Sequence, residues 1–346
     1  MEIKKEVLID SMDGLYAVGQ AEVFGKSYYF AASENRDGRF FAINMLTGEL
    51  SELKGGMGGV MSILPDENNS IVCIEEFYPV FDSASSKVIR ILLEEANGHL
   101  SVKARNVIAE VPYTHRISIV REEGEQYLAF GRLCKQKKEK DDWSSAGTME
   151  VALYSDGATG SRSLLTDGIY KHHALFVKRQ VDGSDWVYYG GETGAYRSRK
   201  VAHEWRTDKI TDLPTSDITL SDLDGDGKDE LAIIKEFHGN RVVIFDNVGG
   251  QYQPAISLNL NFGHVLWSGK ILEKPYLIAG SRAGDKELAM YSFERKENGE
   301  LLLADKIIVD KGQAPTQILV NSFTDYSEIV AANGGSKQLI KYIISR

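Results

Sequence analysis

His115-Arg116-Ile117-Ser118-Ile119-Val120, a Glu122-Glu123-Gly124 turn and Gln126-Tyr127-Leu128-Ala129-Phe130-Gly131-Arg132 read as a strand, a tight turn and a second strand. Both runs are rich in β-branched and aromatic residues, which favour a pleated, half-buried backbone. The pattern returns as His264-Val265-Leu266-Trp267, a turn, and Lys274-Pro275-Tyr276-Leu277-Ile278-Ala279-Gly280-Ser281-Arg282. From His to Arg is 17 residues in the first copy and 18 in the second. Similar units start near Tyr16, Gly59, His173, Asp217 and Thr316, and helical periodicity is nearly absent. Seven units over 346 residues give a period of about 49, inside the range of roughly 40–50 typical of propeller blades. Each unit supplies two clear strands and two that read more weakly, and four strands per repeat define a blade.

The last unit ends at Leu339-Ile340-Lys341-Tyr342-Ile343-Ile344, one strand short. Glu6-Val7-Leu8-Ile9 precedes the first unit and has no partner there. It is expected to complete the last blade and close the ring, which hides both free sheet edges. The expected architecture is therefore all-β: a seven-bladed β-propeller forming one domain over 1–346. The approximate blades are 13–55, 56–111, 112–168, 169–214, 215–260, 261–312, and 313–346 plus 1–12. The competing arrangement, two stacked β-sandwich domains, is disfavoured by the single period and the lack of a linker.

Composition narrows function. A hydrophobic content of 42% with 26% charged residues excludes a disordered chain. A net charge of −10 argues against nucleic acid as a partner, because phosphate binding relies on Lys and Arg. No segment approaches the ~20 apolar residues of a membrane helix, and the N-terminus carries no stretch resembling a signal peptide. The expectation is a cytoplasmic protein without a membrane partner, although a secreted chain trimmed of its signal would read the same. Two cysteines make no disulfide framework, and Cys73, inside Ile71-Val72-Cys73-Ile74, reads as core. Phosphate loops, CxxC pairs, GxSxG elbows and dinucleotide fingerprints are all missing.

One turn is unlike the others: Asp222-Leu223-Asp224-Gly225-Asp226-Gly227-Lys228-Asp229-Glu230. Carboxylates at alternate positions with intervening glycines can wrap Ca²⁺, with Asp222, Asp224, Asp226 and Asp229 as candidate ligands. No bidentate Glu stands at position 12, so it is not an EF-hand. The alternative is a metal-free turn held by Asx hydrogen bonds. With its flanking strands, Ile218-Thr219-Leu220-Ser221 and Glu230-Leu231-Ala232-Ile233-Ile234, this loop resembles the FG-GAP/VCBS repeat of seven-bladed propellers. Pro112-Tyr113-Thr114-His115-Arg116-Ile117, Glu236-Phe237-His238-Gly239-Asn240, Phe262-Gly263-His264-Val265-Leu266-Trp267 and Glu76-Phe77-Tyr78-Pro79 are similar to propeller segments of aldos-2-ulose dehydratase and its bacterial relatives. That resemblance implies elimination or hydration on keto-sugars, hence a small carbohydrate substrate.

The unusual polar residues gather at one rim of the predicted ring. Strand-start positions hold Tyr16, His115-Arg116, His172-His173, Asp217 and His264. Exit loops hold Glu34, Glu76-Phe77-Tyr78, Arg132, Glu192, Glu236-Phe237-His238, Arg282 and Asn333. His99 and His203 fall elsewhere. Because side chains alternate along a strand, only one of His172 and His173 can face the channel. His173, His238 and His264 are candidate ligands for Zn²⁺ or a similar ion. His115, Tyr78, Arg132 and Arg282 are candidate catalytic groups for proton removal, leaving-group protonation and stabilisation of a developing enolate. Glu76, Arg116, Glu192 and Trp143 are candidate substrate contacts. The charged run Lys135-Gln136-Lys137-Lys138-Glu139-Lys140-Asp141-Asp142 reads as a solvated loop that can also fold over the rim, carrying Trp143 with it. A non-catalytic propeller that binds a carbohydrate or a protein is the competing functional reading.

Overall fold

The computed structural model describes residues 1–79 and 82–346, and among these there is no helix. Seven four-stranded antiparallel sheets form the ring. The first strand of each blade lies innermost: Leu15–Val23, Ile63–Asp66, Thr114–Glu122, Ala174–Arg179, Thr215–Ser221, Gly263–Ile271 and Pro315–Ser322 for blades 1 to 7. Contacts between successive inner strands carry the ring around, and blade 7 returns to Leu15–Val23 of blade 1.

Each second strand is buried on both faces, because a neighbouring blade covers each side. Ser70–Glu75 is buried throughout, and so is most of Glu230–Lys235 and Tyr326–Asn333. Strands covered on both faces read as continuous apolar runs rather than alternating ones. Outermost strands such as His99–Glu110, Ala158–Ile169 and Glu204–Thr211 are largely exposed. Their polar sequences explain why the outer half of each repeat reads weakly. The core is divided into layers between blades, one of which joins Tyr28 and Phe30 to Ile71, Val88 and Ile91. Cys73 belongs to that layer, and burial pushes its thiol pKa far up.

The ring closes as expected. Glu2–Ile9 runs antiparallel to Gln338–Ser345, from Glu2 opposite Ser345 to Ile9 opposite Leu339. The fourth strand of blade 7 thus comes from the other end of the chain.

Candidate functional site

A repeated backbone irregularity builds the site. The pairing register between first and second strands slips at Leu15/Ala17, Thr114/Arg116, Thr215/Asp217, Gly263/Val265 and Pro315/Gln317. The bulged residues are Tyr16, His115, Ser216, His264 and Thr316. In blade 4, His173 sits immediately before Ala174, and its N–H donates to the Gly190 carbonyl at 3.2 Å. A bulge re-aims a side chain that regular pleating would send between blades. Two positions before Tyr16, His115, His173, His264 and Thr316, the residues Gly14, Tyr113, Lys171, Phe262 and Ala314 all have positive φ; Ser216, preceded by Pro214, is the exception. For bulky residues such as Tyr113 (φ 61°) and Phe262 (φ 57°) this conformation costs of the order of 1–3 kcal/mol.

The side chains presented this way converge. The Tyr16 hydroxyl lies 3.3 Å from Nε2 of His115 and 3.3 Å from Nε2 of His264. The His115 and His173 rings are 4.2 Å apart, and His238 is 5.1 Å from both His173 and His264. His173 Nδ1 donates to the Ser216 carbonyl at 2.7 Å, and His264 Nδ1 to the Thr316 carbonyl at 2.8 Å. A carbonyl only accepts, so both rings carry their proton on Nδ1 and turn an Nε2 lone pair inward. Tyr16 then donates to His264 Nε2 and accepts from His115 Nε2–H, which leaves His115 Nδ1 bare. Among the described residues, His115 Nδ1, His173 Nε2 and His238 Nε2 are buried without a hydrogen-bond partner. Burial alone holds most of these imidazoles neutral. His115, His173 and His264 lie well below the usual range, helped by one another and by the Arg116 charge. Burial, with Arg282 and Arg116, pushes His238 down to about 3. Tyr16, fully buried, is pushed up to about 12.

One nitrogen from each of His173, His238 and His264 lies within 4.8 Å of the others. Neutral imidazoles, the unpartnered Nε2 atoms of His173 and His238, and backbone carbonyls fixing two of the rings suit a Zn²⁺-type ion, to which His264 would turn its Nε2 in place of the Tyr16 hydroxyl. His172 points the other way, between blades, with Nδ1 donating to the Thr148 carbonyl at 2.9 Å and its ring 5.8 Å from Tyr189.

An aromatic shell covers the rim side of the cluster. Phe237 stacks on His238 at 4.1 Å, Phe262 lies 4.7 Å from His238, and Phe77 lies 5.1 Å from His115. The charged insertion does fold over the rim. Trp143 packs 5.5 Å from Phe237, and the Lys137 ammonium sits 3.4 Å from the Trp143 ring centre.

The remaining predicted residues fall into two groups. Arg116 lines the channel below the histidines, and Arg282 lies beside Phe262, 5.9 Å from its ring. Their charges act on His238 and His264. Others are engaged away from the cluster. Arg132 donates to the Pro112 carbonyl at 3.1 Å and faces Glu150. Tyr78 donates to the Met57 carbonyl at 3.1 Å under the Arg36 guanidinium, and Glu76 pairs with Lys87 at 2.8 Å. Glu192 is an intermediate case, accepting from Lys171 and from the Phe237 N–H, both at 3.4 Å. Sequence reasoning noted Tyr16 and Asp217 at strand starts without giving them roles. The positive-φ residues two places upstream, Gly14, Tyr113, Lys171, Phe262 and Ala314, share no residue type, so no sequence signal marked the bulged positions.

The Asp-rich loop is separate from this cluster. Asp222 accepts from the N–H of Gly225 (2.7 Å) and Gly227 (3.0 Å), both glycines with φ near 85°. Asp224 and Asp226 lie close to Asp222, whereas Asp229 turns away to pair with Lys178. Glu230 faces inward instead. It accepts from Leu223 N–H at 2.8 Å, and burial among these carboxylates pushes it up to about 7. The Arg295 guanidinium reaches in from blade 6, 2.7 Å from Asp224 and 2.9 Å from Asp246. A calcium ion would have to displace it. Ca²⁺ should therefore bind the wild-type loop only in the millimolar range, and Arg295→Met should bind it at least about tenfold tighter. Calorimetric titration checks this, and equal affinities in the two proteins would refute it.

Together these features define a β-propeller with a buried polyhistidine cluster at one end of its channel. No known family model matches the chain, and no curated protein matches it by sequence. Solved structures do match. A candidate 6-phosphogluconolactonase of Bacteroides fragilis has a TM-score of 0.53 and 16% identity, with 86% of this chain and 84% of that one covered. A glucose dehydrogenase has a TM-score of 0.55 and 13% identity, with 99% of each chain covered. BBS1N, solved in complex with ARL6DN, has a TM-score of 0.60 and 13% identity, covering 99% of this chain and 96% of that one. At such identities the likeness shows the fold alone.

Proposed function

We propose that the protein is a metal-dependent carbon–oxygen lyase or hydratase acting on a carbohydrate. The observation that carries this reading is the convergence of His173, His238 and His264, with buried Nε2 atoms on His173 and His238 that no described residue satisfies. Leaving such groups unmet costs about 1–3 kcal/mol each, so a ligand that satisfies them is strongly favoured. A bound Zn²⁺-type ion would supply Lewis-acid polarisation of a ketone, which makes the adjacent C–H acidic. The bare His115 Nδ1 is the proton acceptor, and Tyr16 holds that ring in the required tautomer. Arg282 and Arg116 oppose negative charge developing on the substrate. The carbohydrate part rests on the keto-sugar lyase resemblance and on sugar-related proteins among the structural neighbours.

Elemental analysis and calorimetry test the metal. One equivalent of Zn²⁺ or a similar ion is expected, and His173→Ala or His264→Ala should lower affinity at least about 100-fold. The same substitutions, and His115→Ala, should abolish turnover of a 3-keto-glycoside. A wild-type protein that takes up no metal overturns the reading. A second reading, a recognition propeller, is favoured by the aromatic rim of Phe237 and Phe262 and by the protein complex formed by the neighbour BBS1N. Metal-loaded protein without turnover would support it.

A further inference from the structure

Below the histidines the channel holds a cavity of about 230 Å³, lined from all seven blades. It extends along the inner strands from His264 to Trp267, three residues further on, or about 10 Å of strand. Arg116 and Asp217 both line it. They carry opposite charges and yet make no ion pair with each other. Among the described residues, Arg116 has no hydrogen-bonding or ion-pairing acceptor at all. Among those residues Asp217 accepts only the N–H of the next one, Ile218, at 3.0 Å. Burial pushes its carboxyl up to about 6, against the pull of the Arg116 charge. A cation held half-buried without an anion is costly, and so is a carboxylate short of donors. One molecule bearing an acceptor for Arg116 and a donor for Asp217 would relieve both.

The channel wall narrows the class of that molecule. Each inner strand sits at the end of its sheet, so one backbone edge faces the channel unpaired by any strand. Those N–H and C=O groups suit hydroxyls. Between them, Leu64, Leu175 and Leu266 offer apolar surface for the C–H faces of a compact body. We infer that the channel cavity binds a small hydroxy-carboxylate, a sugar acid, with its carboxylate on Arg116 and a hydroxyl on Asp217. This rests on the carbohydrate reading above and fixes the ligand's charge, but it requires no metal.

Calorimetry on the EDTA-treated chain, with D-galacturonate and D-galactose as probes, tests it. Galacturonate should bind at least about 30-fold more tightly than galactose, the effect of one charge-assisted contact. Arg116→Met should remove that preference, and Arg116→Lys should keep part of it, which shows that a folded cavity is being read. Asp217→Asn should weaken both sugars. Trp267 in the wall should report binding by fluorescence, and Trp267→Phe should lose the optical change while keeping the heat. Equal affinity for the two probes, no binding of either, or a preference that survives Arg116→Met overturns the inference. Metal is absent throughout, so failure of the metal centre leaves the result standing. Conversely, a metal-loaded protein that ignores galacturonate defeats this inference alone.

Discussion

A chain lacking residues 1–9 should fail to form a stable monomer. Glu2–Ile9 supplies the whole outer strand of blade 7, and its removal opens the ladder along Gln338–Ser345. Ile9 is buried against Met12, Leu15 and Leu339, while Ile3 packs near Ile340, Tyr342 and Ile344. Losing two such apolar side chains forfeits about 3–5 kcal/mol of burial. The ion pairs Lys5–Asp310 and Glu6–Lys341 go as well, though exposed pairs add little. The larger loss is topological. This strand supplies the ladder that ties one end of the chain to the other, and without it blades 1 and 7 meet through packing and scattered hydrogen bonds such as Met12 N–H to the Lys337 carbonyl (2.7 Å) and Thr316 Oγ1 to the Tyr16 carbonyl (2.8 Å). Several kcal/mol is a large part of the 5–15 kcal/mol that stabilises a typical domain. The exposed edge of Gln338–Ser345 is also a template for pairing between molecules. Size-exclusion chromatography should show aggregates, and urea unfolding should lose its cooperative transition. A soluble monomer with an unchanged urea midpoint would refute the role assigned to this strand.

Acid should destabilise the protein as pH falls from about 6.5 towards 5. His115, His172, His173, His238 and His264 are all held neutral by burial, with His172 down to about 4 and His238 down to about 3. In the unfolded chain each takes a proton near pH 6.5. Their folded pKa values are depressed, so the stability they contribute is complete above about 6.5 and falls as pH drops towards the folded values. Each costs about 1.4 kcal/mol per pH unit below 6.5. Buried carboxyls work the other way. Glu230, raised to about 7, and Asp217, raised to about 6, take protons in the fold before they would in the unfolded chain. Glu34, Glu75 and Glu122 are raised by burial as well and offset part of the loss; the imidazoles, which charge in the unfolded chain from about 6.5, set the sign of a net loss between 6.5 and 5. The urea midpoint, measured in EDTA to exclude metal, should fall across that window. His172→Gln should make the slope shallower by about one proton. A midpoint that is flat between pH 6.5 and 5 would contradict the burial of these rings.

The fold was legible because its information is local and repeated. Second strands such as Ser70–Glu75 and Lys274–Ser281 lie between two blades, so nearly every side chain is apolar and the period stands out. Outer strands such as Ala158–Ile169 face solvent and carry little pattern. The site was legible in part. The histidines drew attention through their matching positions, and the pleat argument separated His172 from His173. Tyr16 had no comparable signal, since it is one tyrosine of many until its hydroxyl is seen between His115 and His264. Asp229 looked like a ligand by spacing, but Lys178 from another blade draws it away, and Glu230 turns inward instead.

The sequence by itself determined the number of blades, the all-β class and the closing strand, because hydrophobic period and strand count are properties of neighbouring residues. Only the tertiary structure decided which side chains meet. Tyr16 and His264 are 248 positions apart, and their contact depends on seven blades closing at the right curvature and on bulges that turn each side chain inward. Arg295 reaching the Asp-rich loop, and Arg116 left without a partner in the channel, are likewise outcomes of packing between blades. A local pattern can place a residue on a strand, but it cannot specify which distant blade will supply the opposing charge.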